Sequence, residues 1–170
     1  MKKIFVTFLA LVMLFSLVSC QRPERYNDDA DIDVVIQKGL AALNDGIEYA
    51  EVEDEEFYLS DFFTMPEWVD DAEIFTVKTQ AAGVGYNINE VGIFEIEGKH
   101  TSEMQNKLRS YLSESYETNK DWYDSYMPEE TPKLRDAEVK VFGNYVVYAI
   151  LSKDDRATFF NAVQEELLKK

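Results

Sequence analysis

The sequence predicts an α+β fold with a four-stranded antiparallel sheet, in which strands and helices follow the order β-β-α-β-β-α. Its helices are expected to pack on one face of the sheet, and an additional N-terminal helix precedes the first strand. Segments 72–79, 89–97 and 137–152 are rich in β-branched and aromatic residues and predict the strands. Two amphipathic stretches each offer one apolar face, which such a sheet can bury.

The N-terminal helix is predicted from apolar residues at helical spacing after an acidic cap. Asp31 or Asp33 can accept hydrogen bonds from the first free backbone N–H groups, and Ile36 and Leu40 recur on one side. Residues 48–63 then mix an acidic run with aromatic residues. We expect a solvated acidic link there, ending in residues that dock on the core.

A turn and the longest helix follow the first strand region. The segment 80–88, QAAGVGYNI, carries two glycines and predicts a turn between two strands. From Met104 onward, apolar residues recur three or four apart and predict the helix. Thr101 or Ser102 can cap its start, and it should end before Pro128, in a proline-bearing loop.

A hairpin and a final helix complete the predicted fold. In segment 137–152, two runs of strand-type residues flank Gly143-Asn144, a pair that suits a two-residue turn. Residues 154–170 begin with two aspartates that can cap a helix, and apolar residues then recur at helical spacing.

Residues 1–19 have the pattern of a bacterial lipoprotein signal peptide. Two lysines precede a charge-free apolar run from Ile4 to Val18, which is shorter than the roughly 20 residues of a membrane-spanning helix. The tetrad LVSC, which ends at Cys20, matches a lipobox, whose cysteine receives a diacylglyceryl group with acyl chains such as palmitate. An ordinary secretory cleavage site, an uncleaved anchor and an unmodified cysteine are the alternatives.

This pattern divides the chain into a signal peptide at 1–19, a tether at 20–31 and a single α+β domain at 32–170. Cys20 is the only cysteine in the sequence, so no internal disulfide is available. Removal of the signal peptide changes Lys+Arg from 17 to 15 against 33 Asp+Glu, and the net charge from −16 to −18. Such a surface repels phosphates, which excludes nucleic acid as a partner.

Familiar catalytic and metal-binding patterns are missing, so we predict no catalytic, cofactor-binding or metal residue. Aspartates alternate at 29–33 as in a calcium loop, but the required glycine and closing glutamate are absent. His100 is the single histidine, and no G-x-S-x-G motif is present. Gly83 and Gly85 lack the Lys-Ser/Thr pair of a phosphate-binding loop.

Aromatic residues form the one constellation that suggests binding. Trp122, Tyr123 and Tyr126 lie at the end of the long helix, and Tyr145 lies in the hairpin. Core packing with hydroxyl groups at the rim is the simpler interpretation. The functional interpretation is a candidate binding surface for a peptide, a glycan or a partner protein, since Tyr and Trp contribute strongly to interfaces.

Several stretches resemble a known family. The stretches MPEWVDDAEIFTVKT, INEVGIFEIEG and LRDAEVKVFGNYVVYAILS are similar to the domain of unknown function 4358 family, small lipoproteins of Gram-positive bacteria. The resemblance extends over about residues 34–168, and its most specific parts are Glu90 and the turn Gly143-Asn144-Tyr145. The middle turn departs from the family, because it lacks a methionine-containing stretch. The resemblance implies a location and a fold, and no catalytic residues.

These observations predict a lipid-anchored protein on the extracytoplasmic face of a bacterial cell membrane. We expect it not to be an enzyme and to act as a binding or accessory module of the cell envelope. Its expected partners are the membrane, through lipidated Cys20, and an envelope protein or wall component. The alternative is a hydrolase-type envelope enzyme that uses surface carboxylates.

Overall fold

The computed structural model describes residues 25–51, 74–80, 87–96 and 98–168, with backbone only for 50–51 and 74–80. The predicted signal peptide, Cys20 and most of the acidic segment 48–63 lie outside the described residues. Helices and strands, in chain order, are α1 Ile32–Ala41, β1 Tyr49–Glu51, β2 Ile74–Gln80, β3 Glu90–Glu95, α2 Thr101–Tyr126, α3 Thr131–Arg135, β4 Glu138–Phe142, β5 Tyr145–Ile150 and α4 Lys153–Leu167.

The strands form one sheet in the order β1-β2-β3-β5-β4, and every neighbouring pair is antiparallel. The β3–β5 pair lies at its centre, in a register that aligns Glu90 with Ile150 and Glu95 with Tyr145. All six residues of β5 are buried, as are the first five of β3. Both faces of this pair are therefore covered by other parts of the chain.

The prediction of a four-stranded sheet with helices on one face is wrong. Within the described residues the sheet has five strands, and helices lie on both of its faces. Helices α1 and α4 cover the face that carries Ile93 and Val147, whereas α2 and α3 cover the face that carries Phe94 and Val146. The physical reason is that β5, YVVYAI, is apolar at every position, so each of its faces needs a cover.

The fifth strand was missed because it is short and lies in an acidic context. Strand β1 has three residues, Tyr49–Glu51, inside the segment that was predicted to be a solvated link. Its neighbour is β2, with Tyr49 opposite Gln80. A run of three residues gives too little alternation for a strand to be predicted from the sequence.

The face covered by α1 and α4 forms the larger core cluster. The two helices pack closely because Gly39 has no side chain: a Cβ there would lie 2.5 Å from the ring of Phe159. The cluster also includes alternate residues of the central strands. Its other buried members are Ile32, Val35, Ile36, Leu40, Val91, Ile93, Phe142, Tyr145, Val147, Ala149, Leu151, Phe160, Val163 and Leu167.

The opposite face is organised around a close contact between Gly92 of β3 and Tyr148 of β5. A Cβ on Gly92 would lie 2.2 Å from a carbon of the Tyr148 ring, so the ring occupies the space that a side chain would fill. Helix α2 packs over this face through Met104, Leu108 and Leu112.

The helix boundaries agree with the sequence in part. Asp31 caps α1 as predicted, because its carboxylate accepts hydrogen bonds from the backbone N–H groups of Asp33 and Val34. The predicted cap of α2 is wrong, since the helix begins after His100 without a side-chain cap. Ser152, not an aspartate, caps α4. The predicted proline-bearing loop contains the short helix α3.

The predicted hairpin is confirmed. Phe142 pairs with Tyr145 across the turn, and Gly143 has a φ of +62°, a conformation that suits glycine. The tip of this hairpin contacts the N-terminal segment, because the rings of Tyr26 and Phe142 lie 5.7 Å apart. Tyr26 also forms a β-bridge with Leu168, so the chain enters and leaves the domain beside the hairpin tip.

Replacement of Gly92 by alanine should destabilise the fold, because the new methyl group would overlap the Tyr148 ring. Overpacking of a core costs about 1–3 kcal/mol, and urea unfolding should show a loss of that size. Gly98→Ala is the matched control, since a Cβ there would meet the Asn144 side-chain oxygen at 3.2 Å. An unfolding free energy for Gly92→Ala equal to that of the control would contradict this packing.

Candidate functional site

Three of the four residues of the candidate binding surface come together at the end of α2. The rings of Trp122 and Tyr123 lie 5.2 Å apart, and those of Trp122 and Tyr126 lie 5.5 Å apart. Trp122 is 53% exposed and Tyr126 is 73% exposed, whereas Tyr123 is half-buried against the core cluster between α2 and the sheet. Tyr123 therefore connects an exposed aromatic pair to the domain.

The exposed pair lies on the side of α2 that faces the core elsewhere. Trp122 follows Met104 by 18 residues, and Tyr126 follows Leu108 by the same interval. Eighteen residues complete five turns at 3.6 residues per turn, so each aromatic residue shares the angular position of its partner. Met104 and Leu108 are 0% and 1% exposed. One face of one helix is thus buried in its first half and open in its second.

Tyr145 is not part of this surface. Its side chain is fully buried in the cluster under α1 and α4, on the opposite side of the sheet. Its hydroxyl oxygen accepts a hydrogen bond of 2.9 Å from the backbone N–H of Ala30. Tyr145 and Tyr148 are three residues apart in β5, and the alternation of side chains along a strand places them on opposite faces. Their closeness in the sequence therefore does not show that they belong to one surface.

A buried carboxylate lies on the α2 side of the sheet. Glu90, the first residue of β3, is buried, and Tyr148 donates a hydrogen bond of 2.6 Å from its hydroxyl to Glu90 Oε1. Burial raises the pKa of Tyr111 to about 12, and the negative charge of Glu90 contributes further. Burial and Glu90 also raise the pKa of Tyr123. The charge of Glu90 thus raises the pKa of two tyrosines on α2, one of which, Tyr123, belongs to the candidate binding surface.

A polar network joins the start of β3 to the chain segment after α2. Lys133 Nζ donates hydrogen bonds to Asn89 Oδ1 at 2.8 Å and to Glu130 Oε2 at 2.9 Å. Glu130 Oε2 also accepts a hydrogen bond of 2.9 Å from the backbone N–H of Ile88. On the other side, Asn89 donates to the hydroxyl of Tyr49 at 2.9 Å. These contacts hold the segment that follows α2 against the start of β3.

The remaining sequence candidates have ordinary surroundings. Asp31, one of the alternating aspartates, is the N-cap of α1, and its carboxylate accepts hydrogen bonds from the backbone. His100 is partly exposed, with Nδ1 3.7 Å from the carboxylate of Glu103. Among the residues that the structure describes, no three His, Cys, Asp or Glu side chains are grouped so as to hold a metal ion. The glycines at 83 and 85 lie outside the described residues.

Comparison with known protein families identifies a domain in the central part of the chain. A family model described as "Domain of unknown function (DUF4358)" matches residues 69–151. Residues 69–151 belong to the DUF4358 family. This confirms the family that the sequence resembles, over a shorter range than the predicted 34–168. Searches of the curated proteins and of the solved structures found no match to the chain.

The DUF4358 match runs from the segment before β2 to the residue after β5, so it includes α2 and the central β3–β5 pair. Glu90, Gly92, Tyr148, Trp122 and Tyr126 all lie within it. Helices α1 and α4, which cover the other face, lie outside it. In the described part of the chain, no helix combines the length and the apolar character needed to cross a bilayer.

Sequence reasoning singled out Glu90 through the family resemblance but missed its partners. The available signal was the glycine two residues later, because a glycine inside an apolar strand often marks a site where another group approaches closely. The identity of that group, the Tyr148 ring, depends on the β3–β5 register, which places Gly92 opposite Tyr148.

Replacement of Glu90 by glutamine should lower the pKa of Tyr111 from about 12 while leaving it above its ordinary value of 10.0, since burial remains. The folded state holds this proton to higher pH than the unfolded chain, so wild-type stability should fall between pH 10 and about 12. In Glu90→Gln the fall should begin at the same pH, because the unfolded chain sets its onset, but it should end at lower pH and be smaller. Tyrosinate absorbance and urea unfolding across that pH range measure the two effects.

Glu114→Gln is the control for this titration, because Glu114 is an exposed acid on α2 three residues after Tyr111. It should leave the high-pH titration unchanged. Equal curves for Glu90→Gln and wild type, or an equal shift in the control, would contradict the assigned contact.

Proposed function

We propose that this chain is a membrane-anchored extracytoplasmic lipoprotein whose domain is a non-catalytic binding module of the cell envelope. The observation that carries the proposal is the exposed Trp122–Tyr126 pair, which lies on the packing face of α2. Aromatic side chains of this kind bury a large area on contact and supply much of the binding energy of interfaces.

The exposure of this pair is unusual within the described part of the chain. Three large apolar side chains are exposed there, those of Trp122, Tyr126 and Val34. Val34 lies on α1 without an exposed aromatic neighbour. Isolated apolar residues on a surface are ordinary, whereas grouped ones favour an interaction site. Trp122, Tyr123 and Tyr126 are grouped through direct ring contacts.

The anchor in this proposal is Cys20. The lipobox cysteine follows the apolar run after a single serine. Two acyl chains on one residue hold a protein firmly at a membrane. Tyr26, where the chain joins the domain, follows Cys20 by six residues. Six residues reach at most about 21 Å, so the domain would stay close to the bilayer.

The test is crosslinking and affinity capture of the full chain from native membranes. A partner that binds at the aromatic pair should be recovered with wild type. Its recovery should fall about tenfold with Trp122→Ala/Tyr126→Ala, since Trp and Tyr are enriched among the interface residues whose truncation costs more than about 1 kcal/mol. Val34→Ala is the matched control, because it removes an exposed apolar side chain from another helix.

Anchoring is tested on the same material. Mass spectrometry should find a diacylglyceryl group on an N-terminal Cys20. The Cys20→Ala variant cannot carry this group and should be released from the membrane. An unmodified thiol on a membrane-bound protein would refute the anchor. Equal recovery of the same partners by wild type and by the aromatic double variant would refute the binding surface.

A further inference from the structure

The open face of α2 has a strongly acidic setting. From residue 113 to residue 130 the chain carries six acidic residues and one lysine, Lys120. That lysine is paired with Glu117 one turn earlier, so its charge is already compensated. Asp121 and Asp124 are exposed, and neither forms a salt bridge with any described residue.

The end of the helix adds to this negative potential. The last turn of α2 contains no basic residue, so the partial negative charge of the free carbonyl groups at the helix C-terminus is not offset there. The exposed rings of Trp122 and Tyr126 lie in or beside this last turn. Aromatic faces attract cations through the ring quadrupole, and Trp is the strongest of them.

The aromatic pair also lies at the end of the domain remote from the chain entry. Tyr26 is beside the hairpin tip, where a Cβ on Gly143 would lie 2.9 Å from the Tyr26 Cβ. Helix α2 begins at the same end, since the backbone N–H of Ile96, shortly before the helix, donates to the Asn144 carbonyl at 2.8 Å. The helix then runs for 26 residues, which is about 39 Å at 1.5 Å per residue.

We infer that the open face of α2, formed by Trp122 and Tyr126 and flanked by Asp121, docks a lysine- or arginine-bearing segment of a partner polypeptide. The inference rests on the proposed binding function and specifies the chemistry of the partner. The cation packs on the aromatic rings, and the Asp121 carboxylate supplies the counter-charge. A second copy of this acidic chain would be repelled, and a lipid surface would have to reach the end remote from the anchor.

The test is a fluorescence-anisotropy titration of the full chain, in detergent micelles, with fluorescein-labelled tetralysine and tetraglutamate peptides. Wild type should bind tetralysine and not tetraglutamate, and binding should weaken as salt is raised. Trp122→Ala and Tyr126→Ala should each raise the dissociation constant for tetralysine several-fold, and the double variant about tenfold or more.

Two charge variants separate a local site from the overall charge of the domain. Asp121→Asn should weaken tetralysine binding several-fold, whereas Glu165→Gln, an exposed acid on α4, should leave it unchanged. Unchanged tetralysine binding by the aromatic double variant would overturn the inference, because the net charge alone would then account for binding. Equal effects of the two charge variants would overturn it as well.

A membrane occupant is tested with the chain anchored in vesicles that carry spin-labelled acyl chains. The sequence contains two tryptophans, so Trp68→Phe leaves Trp122 as the single emitter. Its emission should match that in unlabelled vesicles. Quenching by the labelled chains would overturn the inference, since the aromatic pair would then lie in the bilayer.

Failure of this inference and failure of the proposed function give different results. An unmodified Cys20 refutes the anchor and leaves the tetralysine titration as it is. A captured partner that depends on Trp122, together with tetralysine binding that does not, refutes the cationic partner and leaves the binding function standing.

Discussion

The antiparallel pairing of β3 with β5 is the constraint on which the rest of the structure depends. Both strands are buried on both faces, so their alternating side chains divide the core into two clusters. A shift of register by one residue would exchange the two sets of side chains. It would separate Gly92 from the Tyr148 ring and Glu90 from the Tyr148 hydroxyl. The helices on both sides take their positions from these two clusters.

The acidic and aromatic groups on the α2 side follow from that register. Gly92 leaves space for the Tyr148 ring, and the ring brings its hydroxyl to the buried carboxylate of Glu90. The same carboxylate contributes to the raised pKa values of Tyr111 and Tyr123 on α2. The buried sheet face is thereby linked, through half-buried tyrosines, to the exposed end of the helix.

Much of the fold could be predicted because its longer elements have clear periodicity. The hairpin at Gly143 and the capped start of α1 at Asp31 were predicted correctly. The helices on a second face were missed although the sequence carries their signal, because β5 lacks the polar alternation that a strand covered on one face would show. The site was predicted in part: Trp122 and Tyr126 share a helix face, which helical spacing reveals. The position of Tyr145 depends on strand direction and register, which a list of aromatic residues does not contain.

The binding surface exists because one face of α2 continues beyond the core. Hydroxyl-radical footprinting of the full chain, read by mass spectrometry, tests it directly, because it compares exposure at two places on that face. We expect strong labelling of Trp122 and Tyr126 and protection of Met104, although methionine is intrinsically reactive. Protection of Trp122 comparable to that of Met104 would contradict it, since the second half of the face would then be covered within the domain itself.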